Sequence, residues 1–419
     1  MMRITASVAL AALGCAGCAY QATEVEQANV VQTSPEWRAV DAETGKITDL
    51  EGLSALSRDF PDSGSVRLRL LNAQLQAGYG PALIETLRWL QQRGYVFSEG
   101  AQAQIPKLVG EEVSEAAKAL LLSGADPIER SEVAWTVPAK AGLVESVFIL
   151  PARDAVVVSS LTGRMVWGRE GERDWSGATI DGADNLSGFA GFTDSEELWV
   201  ASGNIDGSKD EQTYFSGLLG SVPGSGDPRV AAPEGVTLSD LHAAADRTIF
   251  ASDPLGGGVY KLGPNRERIE VVVKPGTFRS PQGLATSADG KRLYVSDYRY
   301  GIAIIDLASG TVSRLVAEIP AILDGADALF RRGNSLIAIQ NGTSPMRISQ
   351  FVLSDDGVRV IAHHILEQAH SEWTEPLSGH LSPDALFYIG NGQWDKYVAG
   401  ELADGKTPDP TQIRRLPIE

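Results

Sequence analysis

Six short apolar runs in this chain open on residues that can offer oxygen to a cation or a substrate. Glu145 opens "LVESVF", Ser187 "LSGFAG", Asp240 "LSDLHA", Gln282 "SPQGLA" and Ser378 "LSGHLS", while "LDGADALF" offers both Asp324 and Asp327. Carboxylates brought together without a lysine or arginine among them repel one another, and a bound divalent cation relieves that repulsion. A ligand set of oxygens alone favours a hard cation, calcium or magnesium. Asp, Ser and Gln-Gly are also ordinary strand-entry residues for backbone reasons, and that reading stands beside the metal one. His242 and His380 each lie two residues past an opening position, where a proton shuttle or a packed imidazole fits the placement. Both cysteines, Cys15 and Cys18, lie at the extreme N-terminus, so the folded body holds no disulfide and no thiolate metal site.

Whether the opening residues meet depends on the elements that carry them. From Val133 onward, short runs rich in Val, Ile, Tyr and Trp alternate with Gly, Asp, Asn and Ser turns, the signal of an all-β array. "SPQGLATSADGKRLYVSDYRYGIAIIDL" reads as an entry loop, a small strand, an Asp-Gly turn, a longer strand, a turn and a third strand. The same plan starts at Leu143, Leu186, Leu238, Ser280, Leu323 and Leu377, a spacing of about 42 to 54 residues, the size of a propeller blade. Intervening segments such as "RIEVVVKPG" supply the outer strand. The expectation is a mainly β protein whose residues 131–419 form a six-bladed β-propeller. In such a ring the inner strands converge on an axis, so the opening residues gather at one mouth although they are far apart in sequence. Asp253, Asp297, Asn341 and Asn391 end the second strands and read as turn caps, and Trp394 reads as packing between the last blade and the first.

Ahead of the array, residues 36–130 have a helical period. "LEGLSALSRDFP", "DSGSVRLRLLNAQLQAG", "GPALIETLRWLQQRG" and "EEVSEAAKALLLSG" each carry a three-and-four apolar stripe, with Pro81 near one start and Gly78 and Gly94 past two ends. The reading is a small all-α domain of helical hairpins, loosely similar in shape to tetratricopeptide repeats. Residues 1–19 join Arg3 to a short apolar stretch, the pattern of an export signal, with Cys15 or Cys18 as a lipidation site. Residues 20–35 read as a tether, so the chain is expected in the periplasm or on the outer membrane as a lipoprotein. The 419 residues carry a formal charge of −18, which sets nucleic-acid partners aside. No glycine-rich nucleotide loop and no nucleophile elbow is found.

Several of these stretches carry a resemblance. "LVESVF" resembles the Glu-containing first-blade entry of the senescence marker protein, gluconolactonase and luciferin-regenerating enzyme family, and "SPQGLATSADGKRLYVSD" resembles its Asn-Gly-Leu entry. "LDGADALFRRGNSLIAIQNG" is similar to its Asp-Gly-Leu entry, and "EPLSGHLSPDALFYIGNGQWDKY" to its closing blade. The resemblance implies a metal held by Glu145, by Gln282 in place of the family's Asn, and by Asp324 or Asp327, one of the two also serving as general base. Asp240 falls near the family's substrate-contacting positions, with Ser187, His242 and His380 as further candidates. The activity implied is the opening of a sugar-lactone ring with calcium as the implied cofactor. The competing readings are a non-catalytic propeller that binds a small ligand, or a protein partner through the helices, and a mainly structural envelope protein.

Overall fold

The computed structural model describes residues 34–121, 124–208, 214–224 and 226–418. The proposed signal, Cys15, Cys18 and nearly all of the tether lie outside the described residues. The array is a six-bladed β-propeller. Its first five blades run from the axis outward as Val144–Leu150 to Ser176–Thr179, Leu186–Phe192 to Arg229–Ala231, Leu241–Ala243 to Ile269–Val273, Pro281–Thr286 to Val312–Arg314, and Ala328–Arg332 to Arg359–Gln368. Each is an antiparallel meander, and Val316–Ala317 adds a parallel fifth strand to the fifth blade. All six repeat starts read from the sequence open a blade.

The sixth blade is built from both ends of the ring. Gly379–Leu381, Ala385–Ile389 and Thr411–Pro417 are closed on the outside by Glu132–Val137, which precedes the first blade. Glu367 prepares this closure. Its wholly buried carboxylate accepts hydrogen bonds from the Arg130 and Ser131 amides at 3.0 and 2.9 Å and from the Tyr388 hydroxyl at 2.8 Å. Close approach of the inner strands needs glycine where one strand lies on the next. A Cβ on Gly283 would stand 2.2 Å from the Leu329 nitrogen, and one on Gly188 would stand 2.6 Å from the Ser239 carbonyl oxygen.

Among the described residues, six helices precede the ring: α1 (Ala42–Gly45), α2 (Leu50–Asp59), α3 (Gly64–Ala77), α4 (Gly80–Gln92), α5 (Glu99–Leu108) and α6 (Glu111–Leu121). The sequence periodicity anticipates α2, α3, α4 and α6. It misses α1, a single turn, and α5, where Pro106 breaks the pattern. Gly78 ends α3 with φ near 69°, and Pro81 starts α4.

These helices lie on the propeller rather than beside it. Trp37, Leu53, Leu56, Phe60 and Val66 share one apolar core with Phe278, Leu284, Val295 and Tyr300 of blades three and four. The Val96 amide donates to the Ser344 carbonyl at 2.8 Å, and the Ser344 hydroxyl donates to the Val96 carbonyl at 2.6 Å. The nearly buried Arg347 reaches the carbonyls of Arg93 and Gly94 past the end of α4 at 3.3 and 3.5 Å. Ser63, Gly64 and Ser65, at the start of α3, meet Asp324 in the entry loop of the fifth blade. The helical segment therefore stands on the face where the inner strands begin.

Candidate functional site

Every opening residue of the sequence reading lies at the start of an inner strand, yet they do different things. Ser187 is wholly buried and donates its hydroxyl to the Ser239 carbonyl at 3.1 Å, a bond between blades two and three. The Gln282 amide donates to Ser280 Oγ at 3.0 Å, within its own entry loop. Asp324 is turned outward to the helices: its carboxylate accepts from the Gly64 and Ser65 amides at 2.8 Å each and from Ser63 Oγ at 3.1 Å. It caps α3, where a negative charge meets the positive end of the helix dipole.

The remaining acids converge. Glu145 of the first blade, Asp240 of the third, Asp327 of the fifth and Glu375 before the sixth act on one another electrostatically. Each is half-buried. Burial pushes the Glu145 carboxyl well above the usual range, and Asp327, Asp240 and Glu375 add to the push. The same causes, burial first and then Asp240 and Glu375, raise Asp327 well above its ordinary value. Burial lifts Asp240 to about 7, and burial raises Glu375. Among the described residues, no lysine or arginine pairs with any of the four.

Neutral donors hold these carboxylates in place. Trp394 Nε1 donates to Glu145 Oε2 at 3.0 Å while its ring packs in the core shared by the last and first blades. Asn341 hydrogen-bonds Asp327, and the Ser378 amide also favours its charged form. Asn341 Oδ1 in turn accepts from the Tyr298 hydroxyl at 2.8 Å. Asp253 and Asp297 are the expected turn caps: Asp297, for example, accepts from the Arg279 and Arg299 amides at 2.7 and 3.0 Å, whereas Asn391 ties its loop to the start of the Thr411–Pro417 strand by accepting from the Gln412 amide at 2.6 Å. Asn341 departs from that pattern and belongs to the mouth. Sequence reasoning also passes over Glu375, although it stands three residues ahead of Ser378 just as Asp324 stands three ahead of Asp327. That offset was the available signal.

Behind the mouth, the inner strands enclose a cavity of about 230 Å³ lined by Asp240, His242, Ser378, His380 and Arg331 among others. His242 bonds Thr286 across blades, with Nε2 2.9 Å from Oγ1, and His380 packs edge-on to Phe148 at 4.4 Å. Burial lowers both imidazoles to about 4, so both are neutral at pH 7.

An oxygen-only set of four carboxylates without basic partners fits a hard divalent cation in charge and donor chemistry. It is not gathered as a finished ligand sphere: among the described residues, no three His, Cys, Asp or Glu groups stand together as metal ligands.

No protein-family description and no curated protein matches the chain. Among solved structures it is similar to a gluconolactonase from Xanthomonas campestris, with 18% identity over 70% of this chain and 98% of that one and a TM-score of 0.46. It is also similar to regucalcin, a calcium-binding protein of Agrobacterium tumefaciens, with 12% identity over 68% and 95% and a TM-score of 0.46. A third is the aldose sugar dehydrogenase of Streptomyces coelicolor in its PQQ-bound form, with 14% identity over 70% and 100% and a TM-score of 0.46.

Proposed function

We propose that the propeller mouth is a divalent-cation-dependent hydrolase site that opens a small cyclic ester of the sugar-lactone class. The observation that carries this reading is the meeting of Glu145, Asp240, Asp327 and Glu375, from separate blades, without a basic partner. Glu145 and Asp327 would hold the cation. Bound there, the cation supplies polarisation of the ester carbonyl and stabilisation of the oxyanion.

The chain's own groups do the rest. Asp327, made more basic by burial and by its acidic neighbours, accepts the proton of the attacking water. The water oxygen bonds to the carbonyl carbon, the ring C–O bond breaks, and the proton ends on the leaving alkoxide, giving a hydroxy acid. Asn341, itself anchored by Tyr298, fixes the Asp327 carboxylate, and Trp394 fixes Glu145.

The test is lactone hydrolysis by the chain from residue 20 onward, with and without calcium or magnesium. Turnover that needs the cation and falls by a factor of about 100 or more in Asp327→Asn supports the reading, as loss of a base does. Absence of turnover across gluconolactone-type and simpler lactones overturns it. One observation favours a non-catalytic binding protein instead: Gln282 spends its amide on Ser280 rather than at the mouth. Cation binding without turnover is the result that reading expects. The proposal extends to location. Export and a lipid on Cys15 or Cys18 would place the propeller in the cell envelope, and metabolic labelling with a fatty acid, lost in the double serine variant, tests it.

A further inference from the structure

The channel that begins among carboxylates ends in a different electrostatic setting. Arg331 lies four residues beyond Asp327 on the same inner strand, about 13 Å further along the axis at the rise of an extended chain. Its Nε donates to the Thr286 carbonyl at 2.8 Å and its Nη1 to the Gly333 carbonyl at 2.8 Å. Nη2 meets no acceptor among the described residues, and none of them pairs a carboxylate with this guanidinium. Arg331 and His242 line both the axial cavity and a second cavity of about 730 Å³ at the opposite face.

His242 contributes a donor whose placement is fixed. The Thr286 backbone N–H points at Nε2 from 3.1 Å. An amide can only donate, so Nε2 accepts and the ring proton sits on Nδ1. His242 lines the cavity beside Arg331. The three acids lining the lower cavity have partners of their own: Asp194 with Arg247 at 3.3 Å, Asp246 with the Thr248 amide at 2.9 Å, and Asp289 with Ser287 Oγ at 2.6 Å.

We propose that the lower half of the axial channel is a binding site for a small carboxylate, with the Arg331 guanidinium and His242 Nδ1–H as its donors. With Nε and Nη1 held by carbonyls, Nη2 is fixed in place to give a carboxylate oxygen a charge-assisted hydrogen bond. A cavity of about 230 Å³ lies below the range of drug-sized ligands, which restricts the occupant to a compact acid. Asp240 lines the same cavity, but the two donors, Arg331 and His242, take no part in the proposed hydrolysis, so either can fail alone.

Calorimetric titration of the full chain with sodium gluconate, beside sodium phosphate, tests it. Saturable gluconate binding is expected. It weakens by at least about 10-fold in Arg331→Gln, the loss of one charge-assisted contact, and persists in Asp327→Asn. Arg331→Lys, which keeps the charge but not the two carbonyl anchors that aim it, falls between, and it carries the test if the glutamine variant does not fold. No gluconate binding at 10 mM, about the weakest a single such contact supports, overturns the proposal. So does unchanged affinity in both Arg331 variants. Phosphate binding as tightly as gluconate overturns the carboxylate assignment.

Discussion

Asp324 and Asp327 stand three residues apart in one entry loop, and their carboxylates serve opposite sides of it. Asp324 accepts the first amides of α3, and Asp327 joins Glu145, Asp240 and Glu375 at the mouth. The two substitutions should therefore separate stability from site chemistry. Asp324→Ala strips three hydrogen bonds from a buried helix start and should cost about 2–3 kcal/mol in urea unfolding while leaving cation binding in place. Asp327→Asn should leave the unfolding midpoint unchanged or higher and abolish cation binding measured by calorimetry. The reverse pattern would assign the mouth to Asp324.

The mouth acids make stability depend on pH in a definite direction. Asp240 ionises near 3.8 when exposed and at about 7 in the fold. Between those values the unfolded chain has already released a proton that the folded chain retains, so stability falls as pH rises through this window. Asp240→Asn removes the effect. Its melting temperature should match that of the wild type near pH 4 and exceed it by several degrees at pH 7.5 in the absence of divalent ions. Calcium should raise the wild-type value and leave the variant less changed. A wild-type midpoint that climbs from pH 4.5 to 7.5 would contradict this account.

Trp394 tests whether an outer partner tunes the mouth. Its indole N–H holds Glu145 Oε2, and its ring fills the seam between the last and first blades. Trp394→Phe keeps most of the packing and removes the donor. Partners of this kind are worth about 10–100-fold in metal affinity, and a loss of that order is expected with the melting temperature within a few degrees of wild type. Equal affinity in the variant would reduce Trp394 to packing.

The blade plan was legible because its signal is local. Each repeat carries its own turn residues and alternating apolar runs, and six copies reinforce one another. The mouth was legible only as a set of positions. Glu145, Asp240 and Asp327 converge because they open inner strands, a consequence of the ring itself. Glu375 escaped because it precedes its strand by a longer loop. Asn341 escaped because a strand-end asparagine looks like a turn cap, and Asp253 and Asp297 at the matching positions are caps. Asp324 could not be told from Asp327, since the distinction depends on where α3 lands, a tertiary contact across about 260 residues of sequence. Arg331 gave no sign, being one more charged residue on an alternating strand until the channel places it.

Two of the four mouth acids, Glu145 and Glu375, come from the two ends of the propeller sequence, so closing the ring completes the site. Glu145 belongs to the first blade, while Glu375 and Trp394 belong to the last, and Glu132–Val137 paired with Thr411–Pro417 fastens them. Glu367 holds the start of that closing strand through the Arg130 and Ser131 amides, the Ser131 hydroxyl and Tyr388. Glu367→Ala leaves these buried donors without an acceptor and should cost about 3–5 kcal/mol. Glu367→Gln, which keeps one acceptor oxygen, should cost less. Hydrogen exchange should show amides of 132–137 and 411–417 opening ahead of the central blades. Cation affinity should fall with them, although Glu367 touches none of the mouth carboxylates. If exchange in the closing strands stays at wild-type rates in Glu367→Ala, the closure is held by the strand pairing alone, and the mouth does not depend on this buried carboxylate.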